Sequence, residues 1–320
     1  KQVIRPANSK KRLSSKTLLN GLDNTHTCVL DDGPLYVAEL SLVTTPDSVI
    51  TLGVIAQNRD HNSGVWSAKH HDRAKQAVLE FARKRQAILS IIDTPGADAG
   101  EEANAQLQAK SISDLITTMM SLDVPTLGLI LGCGYSGGAI PLAASNILLA
   151  APGSVFSTIQ PEGLANIARK QSLSWQQCAK IVGVSAAELF VDGYVDGVID
   201  FDPSKEQCSY SNMKQAFIET LNHINRQTVE YAQRDDGYQK RYQTQFDRYQ
   251  SSCLESRFQD ENEALLEINH YPSIYGFIFR RLRFLKQLSR LQAKPLVEIG
   301  ELLKRSIQQE AVSESAQKSD

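Results

Sequence analysis

The sequence predicts an α/β fold, and three observations lead there. From about residue 34, short apolar runs of buried-strand type alternate with segments whose apolar residues recur at helical spacing. Two of those runs end in glycine-containing turns, "DTPGA" and "GYSGGA", that lead into helical sequence. The chain has 320 residues, 42% of them hydrophobic, enough for one large domain with a substantial appendage.

The elements follow in order. Residues 1–33 read as a flexible arm, rich in Lys, Ser and Asn and closing on the turn "DDGP". "LYVAELSLVT" and "VITLGVIAQN" read as two strands of a hairpin, with Thr45, Pro46 and Asp47 as the turn. In "SAKHHDRAKQAVLEFARKR", Ala74, Ala77, Val78 and Phe81 fall on one helical face, and the segment runs into the strand "AILSIID". After "DTPGADAG" one long helix is expected over residues 101–122, then the strand "TLGLILG", the second glycine turn, a short helix and the strand "NILLAAPG". The order strand, strand, helix, strand has begun to repeat. A long helical piece is expected from about residue 206 to 310, and the last ten residues, 311–320, read as a disordered tail.

Charge and cysteines exclude several function classes. Lys and Arg number 34 against 36 Asp and Glu, a formal net charge of −2, so no global charge draws the chain to nucleic acid or to a membrane surface. No run of about 18 apolar residues reads as a spanning helix. The five cysteines, Cys28, Cys133, Cys178, Cys208 and Cys253, are dispersed and form no C-x-x-C pair, which argues against a zinc ribbon or a disulfide framework and points to a reducing cytoplasm. Asp60, His61, His70, His71 and Asp72 are metal-ligand types, but adjacent helical histidines point about 100° apart, so no metal site is expected.

Gly134-Tyr135-Ser136-Gly137-Gly138 matches G-x-S-x-G, the pattern that presents a serine nucleophile on a strand-to-helix turn. A serine nucleophile needs a base and an orienting acid, and of the six histidines only His223 and His270 come late in the chain, both in charged helical sequence. The competing reading takes the glycine backbone as the working part. N–H groups at a helix N-terminus form a site for developing negative charge, and Ser136 then serves as a helix-start residue whose hydroxyl satisfies a neighbouring backbone group.

Four motifs, "IIDTPGA", "VPTLGLILGCGYSGGAIPLA", "VFSTIQPEGLANIARK" and "DGYVDGVID", stand in an order and spacing that resembles the carboxyltransferase alpha subunit of bacterial acetyl-coenzyme A carboxylase, over residues 45–201. The resemblance implies a crotonase (ClpP-like) fold of repeated β-β-α units over residues 34–205, with the helical extension after it. It also implies a beta-like partner subunit, carboxybiotin on a biotin carrier protein as cofactor, and an acyl-coenzyme A or acyl carrier protein thioester as substrate. Carried over by motif position, Gly137 and Gly138 donate to the ureido oxygen as the catalytic groups. Gly96, Ala97, Gly134, Tyr135, Ser136, Ala139, Glu162 and Gly163 surround the cofactor. The chemistry asks for fixed N–H donors where charge collects and for no side-chain nucleophile.

The sequence departs from that family in two places. After Ala97 the usual glycines and an arginine are missing from Asp98–Gln108, and Tyr135 stands where a glycine is usual, a ring expected to narrow a biotin pocket. These departures keep a second reading open: a crotonase-fold acyl-thioester decarboxylase, or a non-catalytic partner subunit, acting without biotin. The stretch "YGFIFRRLRFLKQLSRLQAK" reads as a basic amphipathic helix, suited to packing on the core or to docking an acidic carrier, coenzyme phosphates or a partner.

Overall fold

The computed structural model describes residues 13–22, 26–45, 48–169, 172–201 and 206–234. Its centre is an eight-stranded sheet. The strands are β1 (Thr27–Asp32), β2 (Leu35–Thr45), β3 (Ser48–Gln57), β4 (Ala87–Thr94), β5 (Thr126–Tyr135), β6 (Ile147–Ala150), β7 (Val155–Ser157) and β8 (Gly197–Val198). Their order across the sheet is β1-β2-β3-β4-β5-β6-β8, with β7 paired to the far end of β5. The first three strands form antiparallel pairs, and β3 to β6, β8 and β7 join in parallel.

Parallel strands need crossovers, and the helices supply them. Helix α1 (Ser15–Leu22) precedes the sheet, and α2 (Ala68–Arg83) links β3 to β4. Between β4 and β5 come α3 (Glu101–Ala105) and α4 (Gln108–Ser121), and α5 (Ser136–Ala143) leads from β5 to β6. Then follow α6 (Pro161–Ile167), α7 (Trp175–Val182), α8 (Ala186–Val191) and the long α9 (Glu206–Arg234). Among the described residues no helix is long and apolar enough to cross a membrane.

Strand alternation divides the core into two layers. Leu89 and Ile91 of β4 face a layer that holds Leu18 and Leu19 of α1 with Met213 and Phe217 of α9. Ile88 and Ile92 face the other, with Val78 and Phe81 of α2 and Leu115 and Met119 of α4. The sheet is therefore covered on both sides, which is why its central strands read as unbroken apolar runs.

Two expectations need correction. Within the supposed arm of residues 1–33, Ser15–Leu22 is a helix and Thr27–Asp32 is a strand. Leu18 and Leu19 are fully buried against the sheet, and Gly33, at φ +67°, supplies the positive φ that the tight turn between Asp32 and Leu35 demands. An eight-residue helix has little stability alone, so α1 is held by the burial of Leu18 and Leu19 on the sheet, a long-range contact that the polar composition around it does not announce. The single helix expected over 101–122 is also broken, because Leu107 takes a left-handed conformation (φ +59°) between α3 and α4. The extension read from residue 206 is helical as far as Arg234; the rest of it, the basic stretch and the tail lie outside the described residues.

Candidate functional site

The two glycine turns sit at the C-terminal ends of the neighbouring parallel strands β4 and β5, the end of a parallel sheet where loops and helix N-termini converge. Their backbones touch. A Cβ built on Gly138 would lie 2.5 Å from the carbonyl carbon of Gly96 and 2.7 Å from the nitrogen of Ala97. One built on Gly96 would come within 3.8 Å of Ser136 Cβ and 3.9 Å of the Tyr135 carbonyl oxygen. Glycine at 138 is thus a packing requirement of the close approach.

The first turn is braced from three sides. Thr94 Oγ1 donates to the Gly96 carbonyl (2.7 Å) and accepts from the Gly96 N–H (3.1 Å), holding Gly96 at φ +147°. Gln160 Nε2, just before α6, donates to the Pro95 carbonyl at 2.7 Å. Ala97 bridges to the buried Trp66, and the Asp98 N–H donates to the Trp66 carbonyl at 3.0 Å.

Beneath the turns lies a buried polar layer. The β4–β5 register shifts between Ile92 and Thr94, and at this irregularity Asp93 Oδ1 accepts from the Cys133 N–H (3.3 Å), a side chain standing in for a ladder bond. Asp93 is fully buried and pairs with the Arg59 guanidinium at 3.6 Å. Gln57, also fully buried, accepts from the Asp93 N–H (3.0 Å) and donates to the Gly138 carbonyl (2.7 Å). Sequence reasoning missed Gln57, Arg59 and Gln160; each is an ordinary polar residue in its local context, and only its long-range partners mark it.

The second turn presents an exposed Ser136, a half-buried Gly137 and buried Gly138 and Ala139 as the first turn of α5. The first four N–H groups of a helix have no partner within it. Among the described residues, no hydrogen bond carries the Gly137 or Gly138 N–H to another element. Ser136 sits at φ +58°, the strained strand-to-helix conformation that a serine nucleophile would also adopt. Among the described residues no histidine is hydrogen-bonded to it. His26 meets the Tyr36 hydroxyl, His70 faces Asp32, and His71 is buried against Trp66 and held neutral by burial, which lowers its pKa. Ser136 is the first residue of α5, as expected of a helix-start residue, but Tyr135 is the N-cap and no side-chain capping bond forms there.

Tyr135 corrects another expectation. Its ring is 2% exposed and packs with Cys133, Val155, Ala179 and Val184, on the side of β7 and α7. It does not intrude into open space, and burial, together with Cys133 and Glu162, raises its pKa well above the usual phenol value. Gly134 is buried too, because a Cβ there would meet the Phe156 ring at 2.6 Å. Glu162 is exposed in the first turn of α6, and Gly163 beside it packs towards Ile159. Asp60, His61, His70, His71 and Asp72 do not converge, and among the described residues no three His, Cys, Asp or Glu side chains gather as metal ligands. A cavity of about 800 Å³ lies between β8 and α9, and no residue of the two turns lines it.

Residues 54–250 match the family model described as acetyl co-enzyme A carboxylase carboxyltransferase-like. The acetyl-coenzyme A carboxylase carboxyl transferase subunit alpha of Carboxydothermus hydrogenoformans is 34% identical over 143 residues, 45% of this chain and 44% of the relative. The corresponding beta/alpha protein of Salinispora arenicola is 36% identical over 138 residues, 43% of this chain and 24% of the relative. The chain thus spans less than half the length of these curated relatives. Among solved structures, the transcarboxylase 12S core superposes with a TM-score of 0.59 at 14% identity, over 70% of this chain and 44% of that one. That likeness establishes the crotonase-type fold.

Proposed function

Because the chain belongs to the acetyl co-enzyme A carboxylase carboxyltransferase-like family, we propose that it is the alpha-type half of a biotin-dependent acyl-thioester carboxyltransferase. The observation that carries this reading is the contact of the two glycine turns at the strand ends, with the N-terminus of α5 open at Ser136 and Gly137. That donor set fits a carbonyl oxygen gaining charge: two adjacent N–H groups, no side chain on either glycine, and a helix dipole of the right sign. Biotin, when bound, supplies the carboxyl group and the ureido oxygen on which charge collects as that group leaves. Gly137 and Gly138 hold this charge, and Gly96 and Ala97 form the neighbouring wall. Ala139 is buried behind the donors, and Glu162 and Gly163 lie at the start of α6, outside the turn.

One set of turns serves one of the two charged oxygens in such a transfer. A beta-type partner therefore supplies the face that binds the acyl-coenzyme A or acyl carrier protein thioester, and a biotin carrier protein delivers the cofactor. The cysteines are dispersed in sequence, and Cys28, Cys133 and Cys178 are in no disulfide, which favours a cytoplasmic assembly.

The test is purification of the tagged full-length chain from its own cells. The expected result is a beta-type carboxyltransferase chain and a streptavidin-reactive protein in the same complex, with carboxyl transfer by the complex and little by the chain alone. A complex without biotinylated protein that decarboxylates an acyl thioester would replace this reading with the biotin-independent one. Transfer by the isolated monomer would remove the two-subunit requirement.

Ser136→Ala is expected to leave kcat of the complex within about threefold of wild type, since the hydroxyl has no role in a backbone-amide mechanism. Loss of several orders of magnitude, or labelling of Ser136 by a fluorophosphonate, would reinstate the serine nucleophile.

A further inference from the structure

We infer that Gln57 is a positioning residue, a buried carboxamide clamp that sets the first turn of α5 against the end of β4. The inference rests on the carboxyltransferase reading only for the activity through which it is measured. Regular β3–β4 pairing stops at Ala56↔Ile91, and the β4–β5 register shifts between Ile92 and Thr94. The Asp93 N–H therefore falls where the ladder is interrupted on both sides. Gln57, the last residue of β3, fills the gap: its Oε1 accepts that N–H at 3.0 Å while its Nε2 donates to the Gly138 carbonyl at 2.7 Å.

The two partners dictate the chemistry of the side chain. One is a donor and the other an acceptor, both buried, so the group between them must accept on one atom and donate on the other. A carboxamide does both. An ionised carboxylate would present a second negative oxygen to the Gly138 carbonyl, and an aliphatic side chain would leave the Asp93 N–H buried without its acceptor.

The geometry makes this clamp matter to the donors. Gly138 already lies against the Gly96–Ala97 backbone with no room for a Cβ, and Ala139 packs in the core, so the Gln57 bond is the side-chain hydrogen bond that fixes the Gly138 peptide within an already packed turn. Gln57 itself has no exposed surface through which a substrate could reach it. It acts through the direction of the Gly137 and Gly138 N–H groups, where a misplacement of about 1 Å costs roughly a hundredfold in rate.

The experiment compares wild type, Gln57→Met and Gln57→Glu as full chains in the purified complex, measuring carboxyl transfer to an acyl-coenzyme A across pH. Gln57→Met is expected to lose about a hundredfold in kcat, with KM for the thioester changed less than about threefold. Gln57→Glu is expected to gain a pH dependence absent from wild type. The neutral carboxyl can donate to the Gly138 carbonyl and accept from the Asp93 N–H, and burial raises its pKa, so activity returns as pH falls through that raised value. Arg59, Asp93 and Cys133 also face this layer; the Arg59 charge favours the ionised form of the introduced carboxyl and the Asp93 carboxylate its neutral form, so the pH at which activity returns belongs to the coupled group.

Equal kcat in wild type and Gln57→Met, or a Gln57→Glu profile parallel to wild type at every pH, would overturn the inference. Should Gln57→Met not fold, the Gln57→Glu profile decides alone. Should the wild-type complex transfer no carboxyl group, the functional reading fails while the clamp is still tested by amide hydrogen exchange. Faster exchange in residues 93–97 and 136–139 together in a Gln57 variant would support it, and unchanged exchange in both segments would sink it.

Discussion

Gly138→Ala should cost the complex about two to three orders of magnitude in carboxyl transfer, the scale seen when one preorganised oxyanion donor is lost. The added Cβ would stand 2.5 Å from Gly96 C, 2.7 Å from Ala97 N and 2.8 Å from Gly96 O. All three are backbone atoms of a turn fixed by Thr94, Gln160 and Trp66, so the strain cannot be relieved by a side-chain rotation. The turns must separate, and with them the donors. Gly137→Ala provides the contrast. Its Cβ would meet the Ile112 side chain at 3.0 Å, which can yield by a few tenths of an ångström, and it keeps the N–H. Steady-state kinetics of the two variants checks this; equal losses would show that the backbone contact at Gly138 is not the cause.

Gly53→Ala is expected to destabilise the chain by about 3 kcal/mol, at the upper end for overpacking a core. Gly53 lies in β3 between Glu39 of β2 and Ile88 of β4, and an added Cβ would occupy the space of the Phe81 ring, which is 2% exposed in the core layer under α2. Here the obstacle is a side chain, so the effect should be coupled. Phe81→Leu in the same molecule should recover part of the loss, making the double variant more stable than the sum of the two single changes. Urea denaturation of the four proteins measures the coupling. Strict additivity would mean that the ring is not what the Cβ meets.

The contrast between these two glycines shows what could be read without a structure. Gly138 belongs to a turn whose letters, strand end, glycines and helix start, carry their own meaning, because a chain that must reverse tightly at a helix N-terminus has few residues to choose from. Gly53 sits inside an apolar strand run, and nothing in "VITLGVIAQN" says that a phenylalanine 28 residues further on will lie over it.

What the sequence by itself determined is therefore local: the α/β element order from about residue 34, the hairpin of β2 and β3, and the two turns that hold Gly96, Ala97, Gly137 and Gly138. Each follows from period, turn chemistry or backbone freedom within a dozen residues. The tertiary structure alone decided the rest. It buried α1 on the sheet although its neighbours read as an arm, turned Tyr135 into a side core instead of a pocket, and placed Gln57, an unremarked amide, between β4 and α5. The physical reason is sequence separation. Gln57 and Gly138 are 81 positions apart, and a buried polar group earns its place only through partners that the fold brings to it.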